Sequence, residues 1–322
     1  MMSMAARAFV FALLGCALTF GQALAQEQSR ADTVAPDIPG VVAGGTTVRF
    51  ITDGFTGTEG PIALPDGGFV FTETQASRIT RIAPDGTTST YLEDTNQSNA
   101  LAFDAEGRLI SVQRGSPQIG VLTPTRSVLA DAFDGQPFGR LNDLTVARNG
   151  GMYFTDPSTT PQAGQPAPPE PAVYYMRPDG RVFKLADDIE RPNGILLSVD
   201  ETILYVANTN GEYVLAYDVQ PDGLVRNRRD FARLEGGRQT ESGIVSGADG
   251  LATDAEGRLY VASTAGVQVF TPAGEHLGTI PVSRAPQNLA FAGPDKRTLY
   301  IVGRGAAYEV AMLAQGFLGR AK

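Results

Sequence analysis

Residues 246–263 read SGADGLATDAEGRLYVAS, and residues 99–112 read NALAFDAEGRLISV. Both hold the pentapeptide Asp-Ala-Glu-Gly-Arg, and both run from a polar residue through a short apolar stretch and a glycine-containing turn to a second apolar stretch, which is the chemistry of a β-hairpin. The same grammar returns in EGPIALPDGGFVFTE (59–73), NDLTVARNGGMYFTD (142–156), NGILLSVDETILYVA (193–207) and QNLAFAGPDKRTLYIV (287–302). Six copies result. Between copies lie two further strand-like runs, for example RITRIAP (78–84) and TTSTYLE (87–93) after the first, so one unit holds four antiparallel strands.

The turns, at Pro65, Asp104, Arg148, Val199, Asp254 and Pro294, are spaced by 39, 44, 51, 55 and 40 residues. Four strands per period of roughly 40–50 residues is the signature of a β-propeller, and six units predict an all-β, six-bladed propeller of four-stranded antiparallel blades. The last unit is a strand short after AAYEVAML (306–313), while TTVRFIT (46–52) has no hairpin partner of its own. This early strand is expected to complete blade six and close the ring, which removes exposed sheet edges.

Composition agrees with this reading and narrows the function. The 322 residues include 37 Gly and 21 Pro, and no amphipathic helical period is sustained. With 26 Lys and Arg against 35 Asp and Glu, a net charge of −9, the chain lacks the basic surface that nucleic acid or an anionic membrane requires. Residues 1–25 have the form of an export signal, with Arg7, an apolar stretch from Ala8 to Phe20 and the small-x-small site Ala23-Leu24-Ala25. An exported, periplasmic or secreted protein without a membrane span follows, residues 26–45 being a leader and 46–322 the propeller. Cys16 in LLGC offers lipoprotein processing as the weaker alternative. Cleavage after Ala25 removes the sole cysteine, and with it disulfides, thiolate nucleophiles and zinc–cysteine sites.

In a propeller the first strand of each blade lines the central channel, so the residue opening each copy belongs near the axis at one mouth. Those residues are Glu59, Asn99, Asn142, Asn193, Asp249 and Asn288, each five or six positions before its turn. Singly, Asn and Asp open strands for local hydrogen-bonding reasons. Six together present oxygen donors only, and two carboxylates converging in a desolvated channel require a compensating cation. One hard divalent cation suits the set, Ca²⁺ best, with Mg²⁺, Mn²⁺ or Zn²⁺ left open. Asn99 and Asn288 are the members most readily assigned to hydrogen bonding within the channel instead.

Taken in order, one per blade, the motifs EGP (59–61), RLND (140–143), YFTDP (153–157), RPNG (191–194), ADGLATD (248–254) and NLAFAGPD (288–295) resemble the senescence marker protein-30/gluconolactonase family of six-bladed propellers, over about Val48 to Leu313. The resemblance implies that Glu59, Asn193 and Asp249 bind one divalent cation, that Asn142 is a fourth ligand or a substrate contact, and that Arg140 touches substrate. It also implies a lactone substrate, although the export signal sets this chain apart from the family's cytosolic members. A cation in an open ring can polarise a lactone carbonyl toward water, and Asp249 is the candidate base if one of its oxygens is free. Arg140 would orient acyl oxygens or take up developing negative charge. The sole histidine, His276, lies in a turn-rich stretch away from the axial positions, so no Ser-His-Asp triad or histidine dyad is available. The blade-three connection PSTTPQAGQPAPPEP (157–171) and the segment GGRQTESGIVSG (236–247) are expected at the rim, the first as a wall or lid or else as a solvated excursion. The competing readings are hydrolysis of another ester, an aryl ester or phosphotriester, and a non-catalytic sugar- or peptide-binding propeller with a structural cation. The expected protein is a monomer acting on a small molecule.

Overall fold

Apolar side chains at successive positions, as in Leu-Tyr-Val-Ala at 259–262, leave a strand with no face to give to water, so it must be covered on both sides. The computed structural model describes residues 30–158, 168–241 and 243–322 and meets that requirement by standing six antiparallel sheets around one axis. Blade one is Thr58–Ala63, Phe69–Glu73, Arg78–Ile82 and Thr88–Leu92, and the other blades repeat its order outward from the axis. Their innermost strands are Ser98–Phe103, Leu144–Val146, Pro192–Leu197, Leu251–Thr253 and Asn288–Ala292. Together with Thr58–Ala63 they contact one another in a closed circle, the strand of blade six meeting that of blade one.

The core is therefore six apolar clusters, one between each pair of neighbouring blades. Strand pleating sends alternate side chains of one blade to different neighbours. In blade three, Tyr153, Val173 and Tyr175 pack toward blade four, while Met152, Phe154, Tyr174 and Met176 pack toward blade two. Tyr153 stacks on Tyr175 at 4.5 Å between ring centroids, and Phe154 on Tyr174 at 5.3 Å. Each such fully buried side chain contributes about 1.5–3 kcal/mol.

Thr47–Asp53 closes the ring by pairing with Ala306–Ala311, with Val48 opposite Val310 and Phe50 opposite Tyr308. The stretch read as a leader is partly structured as well. Thr33–Val34 adds a fifth strand outside Thr47–Asp53, and Ile38, Val41 and Val42 are buried against blades five and six. Residues 1–25, where an export signal was expected, with Cys16 among them, and residues 26–29 lie outside the described residues. Among the described residues no helix is long and apolar enough to cross a membrane.

The verbatim pentapeptide proves to be a turn. Asp104 Oδ1 accepts the Glu106 and Arg108 backbone N–H groups while Oδ2 accepts Arg108 Nε at 2.6 Å, and Asp254 holds Glu256 and Arg258 in the same way. Gly107 and Gly257 supply the positive φ, +74° and +80°, that the turn needs. At this end of the inner strands the chain's last segment crosses the channel. Ala63 N donates to Ala321 O at 2.7 Å, Arg320 donates to Leu197 O at 2.7 Å, and Lys322 runs inward to Asp143.

Candidate functional site

At the opposite mouth the inner strands begin, and there the structure opens a cavity of about 560 Å³ lined by Glu59, Asn142, Asn193 and Asp249, with Arg140 at its edge. Four blades supply those four oxygen-bearing side chains. Two of the glycines that follow them explain how the strands come so close. A side chain at Gly60, where φ is +47°, would put its Cβ 2.4 Å from Asn99 O, and one at Gly194 would put it 2.1 Å from Asp249 O. The hub is tight because these positions carry no Cβ.

Asn99 and Asn288 do not line the cavity. Asn99 is buried, its Nδ2 donating to Asn142 O and Oδ1 at 2.8 and 2.9 Å and its Oδ1 accepting from Thr74 Oγ1. Asn288 donates weakly to Glu59 Oε2 at 3.3 Å, and Gln287 reaches Glu59 Oε1 at the same distance. Both asparagines thus orient cavity-lining side chains from behind.

Two of the four cavity-lining side chains, Asn193 and Asp249, are under-satisfied. Asn193 fixes its amide by donating Nδ2 to Thr209 Oγ1 at 2.9 Å, which leaves the buried Oδ1 with no hydrogen-bond partner. Among the described residues Asp249 has no ion pair, and no donor reaches its carboxylate. Burial pushes the Asp249 carboxyl well above its ordinary value, and the nearby Glu59 and Asp143 charges push it further, against the pull of Arg114 and Arg304. Burial also raises Glu59, with Arg114 acting in the opposite direction. An orphaned carboxamide oxygen beside two desolvated carboxylates is a donor set that a hard divalent cation satisfies. The set is half carboxamide, Asn142 and Asn193 beside Glu59 and Asp249, and among the described residues no group of three or more His, Cys, Asp and Glu side chains is placed to hold a metal ion.

Asp143, next to Asn142, is buried and has partners. Its Oδ1 accepts Leu144 N, and its Oδ2 accepts Ile195 N at 3.3 Å and Lys322 Nζ at 2.7 Å. Lys322 also favours the ionised form of Glu59 through space. Arg140 is held by its backbone: Asp156 accepts the N–H groups of Gly139, Arg140 and Ser158 at 2.6, 2.9 and 2.9 Å. Burial raises the Asp156 carboxyl, and those three donors pull it back. Its place in YFTDP follows from this clamp on the rim.

Sequence reasoning missed further cationic side chains around the cavity. Arg114 directs Nε to Leu141 O at 2.8 Å, and burial brings its guanidinium down to about 10 although Glu59 opposes the change. Arg191 and Arg304 also line the cavity. A signal was present: the residue just after a blade's second strand returns to this mouth, as Arg114, Pro157, Thr209, Thr264 and Arg304 do. Pro157 and Ser158 begin the long blade-three connection at the cavity wall; of that connection, 157–171, expected as a wall or lid or else a solvated excursion, residues 159–167 lie outside the described residues. In the other rim segment Arg238–Thr240 pairs with Gly243–Val245, and Gly247 reaches the cavity. His276 sits on the outermost strand of blade five, its ring 3.2 Å from the Thr279 hydroxyl and apart from the cavity.

A family model described as the SMP-30/gluconolactonase/LRE-like region matches residues 57–304. A gluconolactonase of Zymomonas mobilis is 26% identical over 294 residues, covering 83% of this chain and 82% of its own. Regucalcin of Danio rerio is 30% identical over 198 residues, 59% of this chain and 63% of its own. Among solved structures, the gluconolactonase of Xanthomonas campestris is 29% identical, with a TM-score of 0.74 over 88% of this chain and 97% of its own.

Proposed function

The chain belongs to the SMP-30/gluconolactonase/LRE-like family, and from that membership together with the cavity we propose that it is a divalent-metal-dependent lactonase. The observation that carries the reading is the unpaired Asp249 carboxylate beside Glu59 and the partnerless Asn193 Oδ1, all at one open cavity. Glu59, Asn193 and Asp249 would hold the cation, Asn142 adding a fourth oxygen or turning its amide to substrate. A cation there, calcium by the hardness of the donors, supplies Lewis acidity toward the carbonyl and toward the charge that builds on its oxygen.

The chain's own side chains do the rest. Asp249, through the carboxylate oxygen not given to the cation, would take the proton of the water that attacks the carbonyl carbon. The ring carbon–oxygen bond then breaks, the departing alkoxide oxygen receives the proton, and a hydroxy acid leaves. Arg140, fixed by Asp156, orients the acyl oxygens, and Asn142 is held from behind by Asn99. Asp143 is excluded as the base because Lys322 and two backbone N–H groups occupy it.

The test is hydrolysis of several sugar and aliphatic lactones, followed by pH-stat, with wild type and Asp249→Asn. Chelation should abolish turnover, calcium should restore it, and the substitution should lower kcat by about 10²-fold or more. Turnover that survives both chelation and the substitution overturns the proposal.

A further inference from the structure

The cavity and the molecule carry opposite charge. The chain has a net charge of −9, yet Arg114, Arg140, Arg191 and Arg304 all line one cavity whose acids are Glu59, Asp249 and Glu190. Elsewhere most arginines pair with carboxylates, as Arg49 does with Glu309 and Arg258 with Asp254. Arg140, Arg191 and Arg304 have no carboxylate partner among the described residues, and all three are exposed at the mouth. Glu190, which could have paired with Arg191, instead accepts from Asn210 Nδ2 at 2.9 Å. Arg114 is close enough to Arg140 and Arg191 to feel their repulsion. Guanidinium groups gathered in this way repel one another unless an anion comes between them.

A dication at the hub makes the imbalance larger. It offsets Glu59 and Asp249, Glu190 offsets one arginine, and three guanidinium charges remain to face whatever enters. A neutral sugar lactone, whose developing oxyanion would be served by a hub cation and Arg140, has no use for Arg191 and Arg304. We propose that the substrate is a lactone bearing a second, permanently anionic group, a carboxylate or a phosphate set apart from the scissile carbonyl, and that Arg191 and Arg304 are the residues that bind it. Guanidinium forks match both oxyanions by paired N–H donors. The proposal rests on the lactonase reading for the word lactone, and on the arginine cluster alone for the charge.

Calcium-loaded protein separates the two. Glucono-1,5-lactone, 6-phosphoglucono-1,5-lactone and glucaro-1,4-lactone serve as neutral, phosphate and carboxylate probes for wild type, Arg191→Gln and Arg304→Gln. One charged lactone should exceed the neutral one in kcat/KM by about tenfold or more. That ratio should collapse toward one in either variant, and raising salt from about 50 to about 500 mM should erode it. Which charged probe leads tells carboxylate from phosphate. In parallel, calorimetric titration with gluconate, glucarate and 6-phosphogluconate reads the second charge without turnover. Tighter binding of a doubly anionic acid, lost in the variants, sustains the inference even if no lactone is opened, a result that would sink only the lactonase reading. Equal kcat/KM for neutral and charged lactones, equal affinities for the three acids, or ratios unmoved in both variants overturn it.

Discussion

Replacing Lys322 by methionine tests how dry the hub is. Lys322 Nζ lies 2.7 Å from Asp143 Oδ2, and the two side chains retain 6% and 1% of their accessible surface. Methionine keeps most of the volume and loses the charge, so the packing of the last segment survives while Asp143 is left ionised and unpaired. Removing one partner of a buried pair costs about 3–5 kcal/mol. Asp143 still accepts Leu144 N and Ile195 N, which argues for the lower end, about 3 kcal/mol. Urea denaturation at neutral pH should therefore give a lower midpoint with an unchanged slope. Adding Asp143→Asn to Lys322→Met should return much of the loss, because neither charge then remains to be desolvated, and the pair should couple by about 1–3 kcal/mol. A single variant within about 0.5 kcal/mol of wild type would refute the reasoning, since that is the behaviour of a surface pair.

Two other outcomes follow from the hub. Glu59 and Asp249 have raised carboxyl values in the fold, so the folded state holds protons that the unfolded chain releases above about pH 4. The stability this contributes is fully present below that pH and is lost as pH rises through the raised values; in chelator, urea midpoints should fall as pH is raised above about 4, relative to Asp249→Asn, and calcium should cancel the fall. Gly194→Ala would set a methyl group 2.1 Å from Asp249 O; the two blades must part, stability should drop by about 1–3 kcal/mol, and calcium affinity should weaken in a fluorescence or calorimetric titration. An unchanged midpoint and an unchanged affinity would show that the approach at Gly194 is not tight.

The propeller was legible because its hairpins are local: each copy of the repeat carries its own polar opener, turn and apolar runs, and Asp104 and Asp254 need no partner beyond four residues to make the same turn. Ring closure was legible by subtraction, since Thr47–Asp53 belongs to no copy of the repeat while the last copy lacks a strand. Constant spacing picked out the ring residues but did not sort them. Whether an asparagine faces the cavity, as Asn193 does, or works from behind, as Asn99 does, depends on Thr209 in one case and on Thr74 and Asn142 in the other, and those contacts are long-range. Arg114, Arg191 and Arg304 escaped because an arginine at a strand end reads as surface charge until the blades converge. Lys322 escaped because nothing near it in sequence says that it will end beside Asp143.

Blade six is built from both ends of the chain: Val48 pairs with Val310 across about 260 residues. At roughly 5–20 residues per second, a nascent polypeptide holds that early strand unmated for roughly a quarter of a minute to a minute, with a sticky border available to any passing β-segment. A circular permutant whose new termini fall in an outer loop of another blade would make this pairing a local event. It should mature faster and leave less aggregate during synthesis, with the finished ring unaltered.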